Sequence, residues 1–401
     1  MHLFYVLFFI LMSSSFPSRY IPEGKITDSF TVPKGLERAV DFWIDVYSRY
    51  DVDEILIHDS VHYIVYEVID VSAINALPYF TETIKNELID SRVTSAQNRY
   101  RNAFLALSSG ATDKDSDPLV ANLYNKFQDI NDGNKFLNAS RPGRIRTQRG
   151  HRSNFKEGLY YSGKYIPLME KIFKEYKLPK ELVRLPFVES YFNPQAVSSV
   201  NAVGIWQFMK GTGKEYLKVE KGYDERRDPV ASTHAAAKLL KKSYNYLYKD
   251  WPLAVTSYNH GKFGMKRAVK RTGSSNLVKL IKEYKGRNFG YSTKNFYAQF
   301  LAVLYIEGNH KKIFGDSTFA KMRDYRSLIT VKPIKVLELA RLTGISPEHI
   351  KMYNPAISRN LIRNNGFLPK GSRIRIPMER IKTTLSKLND LDGLKNKIRL
   401  I

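Results

Sequence analysis

The sequence predicts a mainly α-helical chain that closes with a small βααβ module. Three observations carry this. Val40, Trp43, Ile44 and Tyr47 recur at i, i+3, i+4 and i+7, the period of one buried helix face. Residues 231–247 form an Ala-rich run of high helix propensity. Near the C-terminus, Ser372-Arg-Ile-Arg-Ile-Pro377 alternates like a strand, and Leu328-Ile-Thr-Val331 reads as its partner.

Taken in order, residues 1–15 read as a signal peptide. Leu3 to Met12 is a short apolar run, too short for an ordinary membrane span, and Ser13-Ser-Ser15 offers small residues for cleavage. Residues 16–150 read as an N-terminal helical region with a linker. A long helix is expected over Pro78–Leu107, closed by Gly110 and the polar run Ala111–Asp117. The basic Pro/Gly stretch Arg141–Arg152 reads as a solvated hinge.

Residues 151–318 then read as consecutive helices: Phe155–Tyr161, Ile166–Tyr176, Pro179–Glu189 kinked at Pro186, one starting at Ile205 or Gln207, Ala231–Leu247, Pro252–Asn259 and Lys294–Ile306. Residues 325–378 give strand, helix Ile334–Leu342, helix Pro347–Met352, and strand. Residues 379–401 read as an amphipathic helical tail.

Composition narrows the chemistry. The 401 residues carry a net charge of +25, which favours a polyanionic partner. Nucleic acid, an anionic membrane and an anionic cell wall are all candidates, and the spread of Lys and Arg along the chain with no nucleic-acid-binding signature disfavours the first. Cysteine is absent, which removes disulfides, thiol catalysis and any lipid-modified N-terminal cysteine. His58-Asp-Ser-Val-His62 has metal-friendly spacing but lacks the Glu of a zincin motif, and Gly211-Thr-Gly-Lys214 lacks the spacing of a phosphate loop. Neither a metal nor a cofactor is expected.

The most informative stretch is Leu185-Pro-Phe-Val-Glu-Ser-Tyr-Phe-Asn-Pro194, which places Glu189 at the end of an apolar helical run. Burial disfavours the charged form of such an acid, so it holds its proton near neutral pH. Ser198 follows, then Gly204-Ile-Trp-Gln-Phe-Met209, and later Ser257-Tyr-Asn259. A protonated acid among hydrogen-bonding groups and aromatic walls suits glycosidic bond cleavage.

This ordered set resembles the lytic transglycosylases of the soluble-transglycosylase, goose-type lysozyme-like family, over roughly residues 155–305. The flanks are similar to the branch of membrane-bound lytic murein transglycosylase D, which pairs the catalytic domain with LysM-type modules that bind N-acetylglucosamine polymers. The resemblance implies a lysozyme-like helical catalytic domain and a LysM-like module. It implies that Glu189 is the sole catalytic acid/base, and that Ser198 bonds the substrate N-acetyl group or the acid. It implies further that Gly204, Trp206, Gln207 and Met209 line the cleft, which Tyr258 and Asn259 face from the other side. Phe187, Trp206 and Phe208 are candidates for its apolar wall.

Two departures stand out. Ser292 occupies the place where many relatives carry a second Glu, and Lys332-Pro333 replaces the usual Gly-Asp turn of a LysM module. The implied reaction cuts the MurNAc-β-1,4-GlcNAc bond of peptidoglycan without water, leaving 1,6-anhydroMurNAc ends. An exported monomer in the periplasm or envelope is expected, with peripheral membrane or wall association. Three alternatives stay open: a hydrolytic lysozyme using Asp224, Glu225 or Asp228 as second acid, a non-catalytic wall-binding protein, and charge-driven nucleic-acid binding.

Overall fold

Burial organises the chain around one long apolar helix, Tyr291–Gly308. Phe296, Phe300, Leu301, Val303 and Ile306 are all sealed, so it is apolar on nearly every side and must lie at the centre. Each such side chain contributes about 1.5–3 kcal/mol when fully removed from water. A computed structural model describes residues 26–110, 117–322, 324–390 and 397–400. The signal-peptide segment lies outside the described residues, as does most of the polar run 111–117. The chain is mainly helical, as its sequence predicts, with small sheets.

The helix Glu37–Ser48 packs along the central helix, and its buried face is the predicted one, Val40, Trp43, Ile44 and Tyr47. Trp43 Nε1 donates to Asn295 Oδ1 at 2.7 Å across that contact. The same hydrophobic cluster continues through Phe155, Phe173, Phe187 and Trp206. The N-terminal region and the catalytic segment therefore share one core.

Three expectations are corrected here. The N-terminal region is mainly helical, as expected, but it also holds strands that the sequence does not suggest: Glu54–Asp59 pairs antiparallel with both Val65–Asp70 and Ile145–Arg149 in a three-stranded sheet. The third strand lies within the stretch that reads as a hinge. Its basic residues find partners: Arg144 binds buried Asp59 at 2.8 Å, and Arg149 donates to the Val52 carbonyl at 2.7 Å. The two helices expected over 155–176 are one helix, Arg152–Glu175, with Pro167 inside it. The proline ring crowds the carbonyl four residues back, at Gly163, where no Cβ resists the adjustment. A Cβ there would lie 2.6 Å from Phe319. Pro179–Glu189 is not one kinked helix but a 3-10 turn, Lys180–Arg184, followed by a short α-helix, Leu185–Glu189, with Pro186 in its first turn.

The long helix of the N-terminal region is Glu82–Ser109, capped by Thr81 and closed by left-handed Gly110. Helices Pro229–Tyr246 and Trp251–His260 follow the sequence expectation closely. The helix expected after Ile205 is only Lys210–Lys214.

In the C-terminal module, strand Tyr325–Thr330 pairs antiparallel with Arg373–Pro377, and helices Val336–Thr343 and Pro347–Tyr353 lie between them in sequence. A third short helix, Arg359–Arg363, was not expected. The tail gives helix Ile381–Asp390, then a strand, Ile398–Leu400, that joins the same sheet. The module is docked rather than tethered. Tyr223 of the catalytic segment is buried in its core, and the Tyr223 hydroxyl accepts from Arg373 N at 3.0 Å. Arg375 forms a buried ion pair with Asp228. Breaking such a pair from one side costs about 3–5 kcal/mol.

Candidate active site

Glu189 ends the short helix Leu185–Glu189, whose other face is anchored by sealed Leu185 and Phe187. Phe155 stacks on Phe187 at 4.7 Å, and Phe192 meets Phe187 edge-on at 4.8 Å. These rings fix the helix from both sides. After it, Tyr191 and Phe192 take left-handed backbone at φ 51° and 61°. Non-glycine residues persist there only when their surroundings hold them, and such strain gathers at functional sites. Ser190 Oγ donates to the Ile205 carbonyl at 2.9 Å, tying the acid's helix to the loop that follows.

Glu189 itself is half-buried. Loss of water around its carboxyl pushes it from the ordinary glutamate range up to about 8. Among the described residues no hydrogen bond or ion pair engages that carboxyl. The obvious cation, Arg184, is committed instead to Glu170 and, at 2.9 Å, to Glu307. The acid therefore holds a proton at neutral pH.

The Gly204 loop forms one side. Gly204 has φ +82°, and a Cβ there would stand 1.9 Å from the Arg226 carbonyl oxygen, so only glycine fits. Arg226 braces this loop by donating to the Phe208 carbonyl at 3.1 Å while pairing with Asp224 at 2.7 Å. Gln207, at φ 46°, donates its amide to the Gly204 carbonyl at 2.8 Å, which leaves its own side-chain oxygen available. Ser198 accepts from Ala202 N at 3.0 Å and keeps its hydroxyl proton to donate. Met209 is 46% exposed at the rim.

Trp206 is not an open sugar platform. Its ring is sealed, stacked on Phe173 at 5.7 Å, with Nε1 donating to Thr233 at 2.9 Å. Its contribution is structural: the Trp206 carbonyl accepts from the Tyr258 hydroxyl at 2.8 Å. Phe187 and Phe208 are likewise buried backing. Tyr258 comes from helix Trp251–His260. Burial first, and Glu189 second, push its phenol well above the ordinary range, which places it in electrostatic reach of the acid. Asn259 accepts from Thr293 at 2.8 Å, next to exposed Ser292.

The three carboxylates weighed as a second acid are committed elsewhere. Asp224 holds Arg226. Glu225 accepts from Lys218 N at 2.8 Å. Asp228 caps helix Pro229–Tyr246 and binds Arg375. Sequence reasoning missed Tyr47 and Tyr291. Burial, then Tyr191, Glu189 and Tyr291, raise the Tyr47 phenol, which puts Tyr47 within electrostatic reach of both the acid and Tyr291. Tyr291 is fixed from the N-terminal sheet: His58 donates Nδ1–H to the Asp59 carbonyl at 3.0 Å, so its Nε2 accepts from the Tyr291 hydroxyl at 3.3 Å. No local motif marks either tyrosine, because the fold brings them in from distant segments.

The family model described as Transglycosylase SLT domain matches residues 168–281. That part of the chain is similar to a transglycosylase SLT domain. Glu189 and all seven candidate binding residues fall inside the SLT domain's limits. The resemblance read from the sequence motifs is borne out for this part of the chain. The chain is 32% identical over 200 residues to membrane-bound lytic murein transglycosylase D of Escherichia coli (strain K12), covering 48% of this chain and 42% of that protein. It is 38% identical over 65 residues to membrane-bound lytic murein transglycosylase C of Actinobacillus pleuropneumoniae serotype 5b (strain L20), 16% of this chain and 18% of that protein. It is 39% identical over 66 residues to the type C protein of Haemophilus ducreyi (strain 35000HP / ATCC 700724), again 16% and 18%. The chain therefore spans less than half the length of these curated relatives.

Proposed function

We propose that the chain is a lytic transglycosylase of peptidoglycan, acting in the cell envelope with Glu189 as its single acid and base. One observation carries this reading: a water-poor carboxyl with no partner among the described residues, at the end of a packed helix inside the stretch that matches the SLT domain. Protonated Glu189 delivers its proton to the bridging oxygen as the bond from N-acetylmuramic acid breaks. The sugar's N-acetyl group supports the developing cation at C1. Glu189, now a carboxylate, takes the proton of that sugar's C6 hydroxyl, whose oxygen attacks C1. The product ends in a 1,6-anhydro ring, no water is consumed, and Glu189 regains its proton.

In this reading Ser198 and the side-chain oxygen of Gln207 contact the sugar's amide, Met209 and Asn259 lie along the cleft, and Gly204, Trp206 and Tyr258 keep its walls in place. Hydrolysis needs a second carboxylate to position water. The commitment of Asp224, Glu225 and Asp228 to structural partners disfavours it. Residues 151–318 act as the catalytic domain and 325–378 as a LysM-like module that holds glycan. The surplus positive charge suits the anionic wall.

The test is Glu189→Gln, which keeps the shape and removes the transferable proton. Release of soluble fragments from purified peptidoglycan should fall by about 10²–10⁴-fold, while sedimentation with intact wall is retained. Equal release by both proteins would identify a wall binder instead.

A further inference from the structure

Tyr47 lies on the helix Glu37–Ser48, in a region whose sequence carries no chemical motif. It is 2% exposed. Rings hold it on several sides: Trp43 at 5.5 Å, Phe155 at 5.7 Å, His151 at 6.3 Å and Tyr191 at 6.5 Å. Phe155 in turn lies flat on Phe187. Phe187 and Tyr191 flank Glu189 two residues before and two after. The ring of Tyr47 is therefore registered against the acid from both sides.

Its hydroxyl has no hydrogen-bond partner among the described residues. Nor is it sealed: among those residues the one fully buried, unpartnered side-chain polar atom is the Tyr216 hydroxyl. The Tyr47 hydroxyl therefore keeps some accessible surface, and it lies within electrostatic reach of Glu189. Its neighbours are already engaged, Tyr258 with the Trp206 carbonyl and Tyr291 with His58. Burial, then Tyr191, Glu189 and Tyr291, in that order, raise the Tyr47 phenol, so it stays protonated and able to donate.

We propose that Tyr47 is a positioning residue for Glu189, its hydroxyl turning onto the carboxyl to orient it and to support its charge after proton transfer. The N-terminal helix is then part of the catalytic apparatus. This rests on the reading of Glu189 as acid and base. A donor favours the charged form of a carboxyl, so its removal raises the pH at which Glu189 ionises. The titratable groups facing the pair are Tyr191 from the loop after the acid, Tyr258 from helix Trp251–His260, Tyr291 from the central helix, and His151 beside helix Arg152–Glu175. Burial raises the three phenols and lowers His151, so none of them carries charge near neutral pH. Arg146 stacks over Tyr291 at 4.6 Å and is the cation on that side.

Tyr47→Phe in the full chain removes one oxygen and keeps the ring. Carbon-13 NMR of labelled glutamate carboxyls, with Glu189 assigned by its loss in Glu189→Gln, reads the effect without any substrate. The Glu189 midpoint should move up by about half a pH unit or more. With peptidoglycan, kcat should fall about tenfold or more at unchanged KM. The alkaline limb of the rate profile should shift in the same direction, and the melting temperature should be retained. An unmoved midpoint overturns the proposal, as does a loss of activity that tracks lost stability with an unmoved pH profile. If the parent protein releases no anhydro-ended fragments, the functional reading fails, and the titration still decides whether Tyr47 governs Glu189.

Discussion

Burial of Glu189 ties chemistry to stability at a single residue. Its carboxyl ionises at about 8 in the folded protein and near 4.5 when free. Between those values the native state holds a proton that the unfolded chain has released, so this residue's contribution falls as pH rises through the window. Glu189→Gln removes that dependence. The variant should melt higher than the parent at pH 8.5 and differ little from it at pH 4.5, as differential scanning calorimetry would show. The reverse order would mean that the native carboxyl is charged and stabilised. Glu189 was legible in the sequence because an acid stood inside an apolar run with Pro186 and Phe187. The environment of Trp206 was not. A tryptophan beside a candidate cleft reads equally as platform or as core, and only Phe173 and Thr233, which the fold brings to it, decide between them.

At the scale of elements, the loop 196–208 is set by backbone geometry. Gly204 N donates to the Ala196 carbonyl at 3.0 Å, and its Cα presses on the Arg226 carbonyl with no room for a methyl group. Gly204→Ala adds a steric clash to a left-handed φ, so it should cost about 3 kcal/mol. Chemical denaturation would measure this, and glycan release should drop because Trp206 no longer presents its carbonyl to Tyr258. A near-neutral substitution would show that the loop can relax away from Arg226. Helices with strong periodicity or clear caps were legible, among them Pro229–Tyr246 with its Asp228 cap and the central helix. Elements governed by non-local pairing were not. The strand Ile145–Arg149 reads as a hinge because Arg144 beside it and Arg149 at its end find partners only when Asp59 and Val52 arrive from far upstream. The helix Arg152–Glu175 reads as two because Pro167 normally breaks a helix.

For the whole molecule, the N-terminal region, the SLT domain and the C-terminal module form a continuous assembly. One hydrophobic cluster runs from Phe30 and Trp43 through Phe187 and Trp206 to Phe300. Tyr223 and the Asp228–Arg375 pair lock the C-terminal module against the same body. The region upstream of the SLT domain shares its core, and His58 of that region holds Tyr291 of the central helix. The central claim is that one carboxyl cuts glycan by using the sugar's own hydroxyl. Mass spectrometry of peptidoglycan digested by the full chain in water enriched in oxygen-18 tests it most directly. The account predicts fragment ends lighter by one water than reducing ends and free of the heavy isotope. Reducing ends carrying oxygen-18 would contradict it.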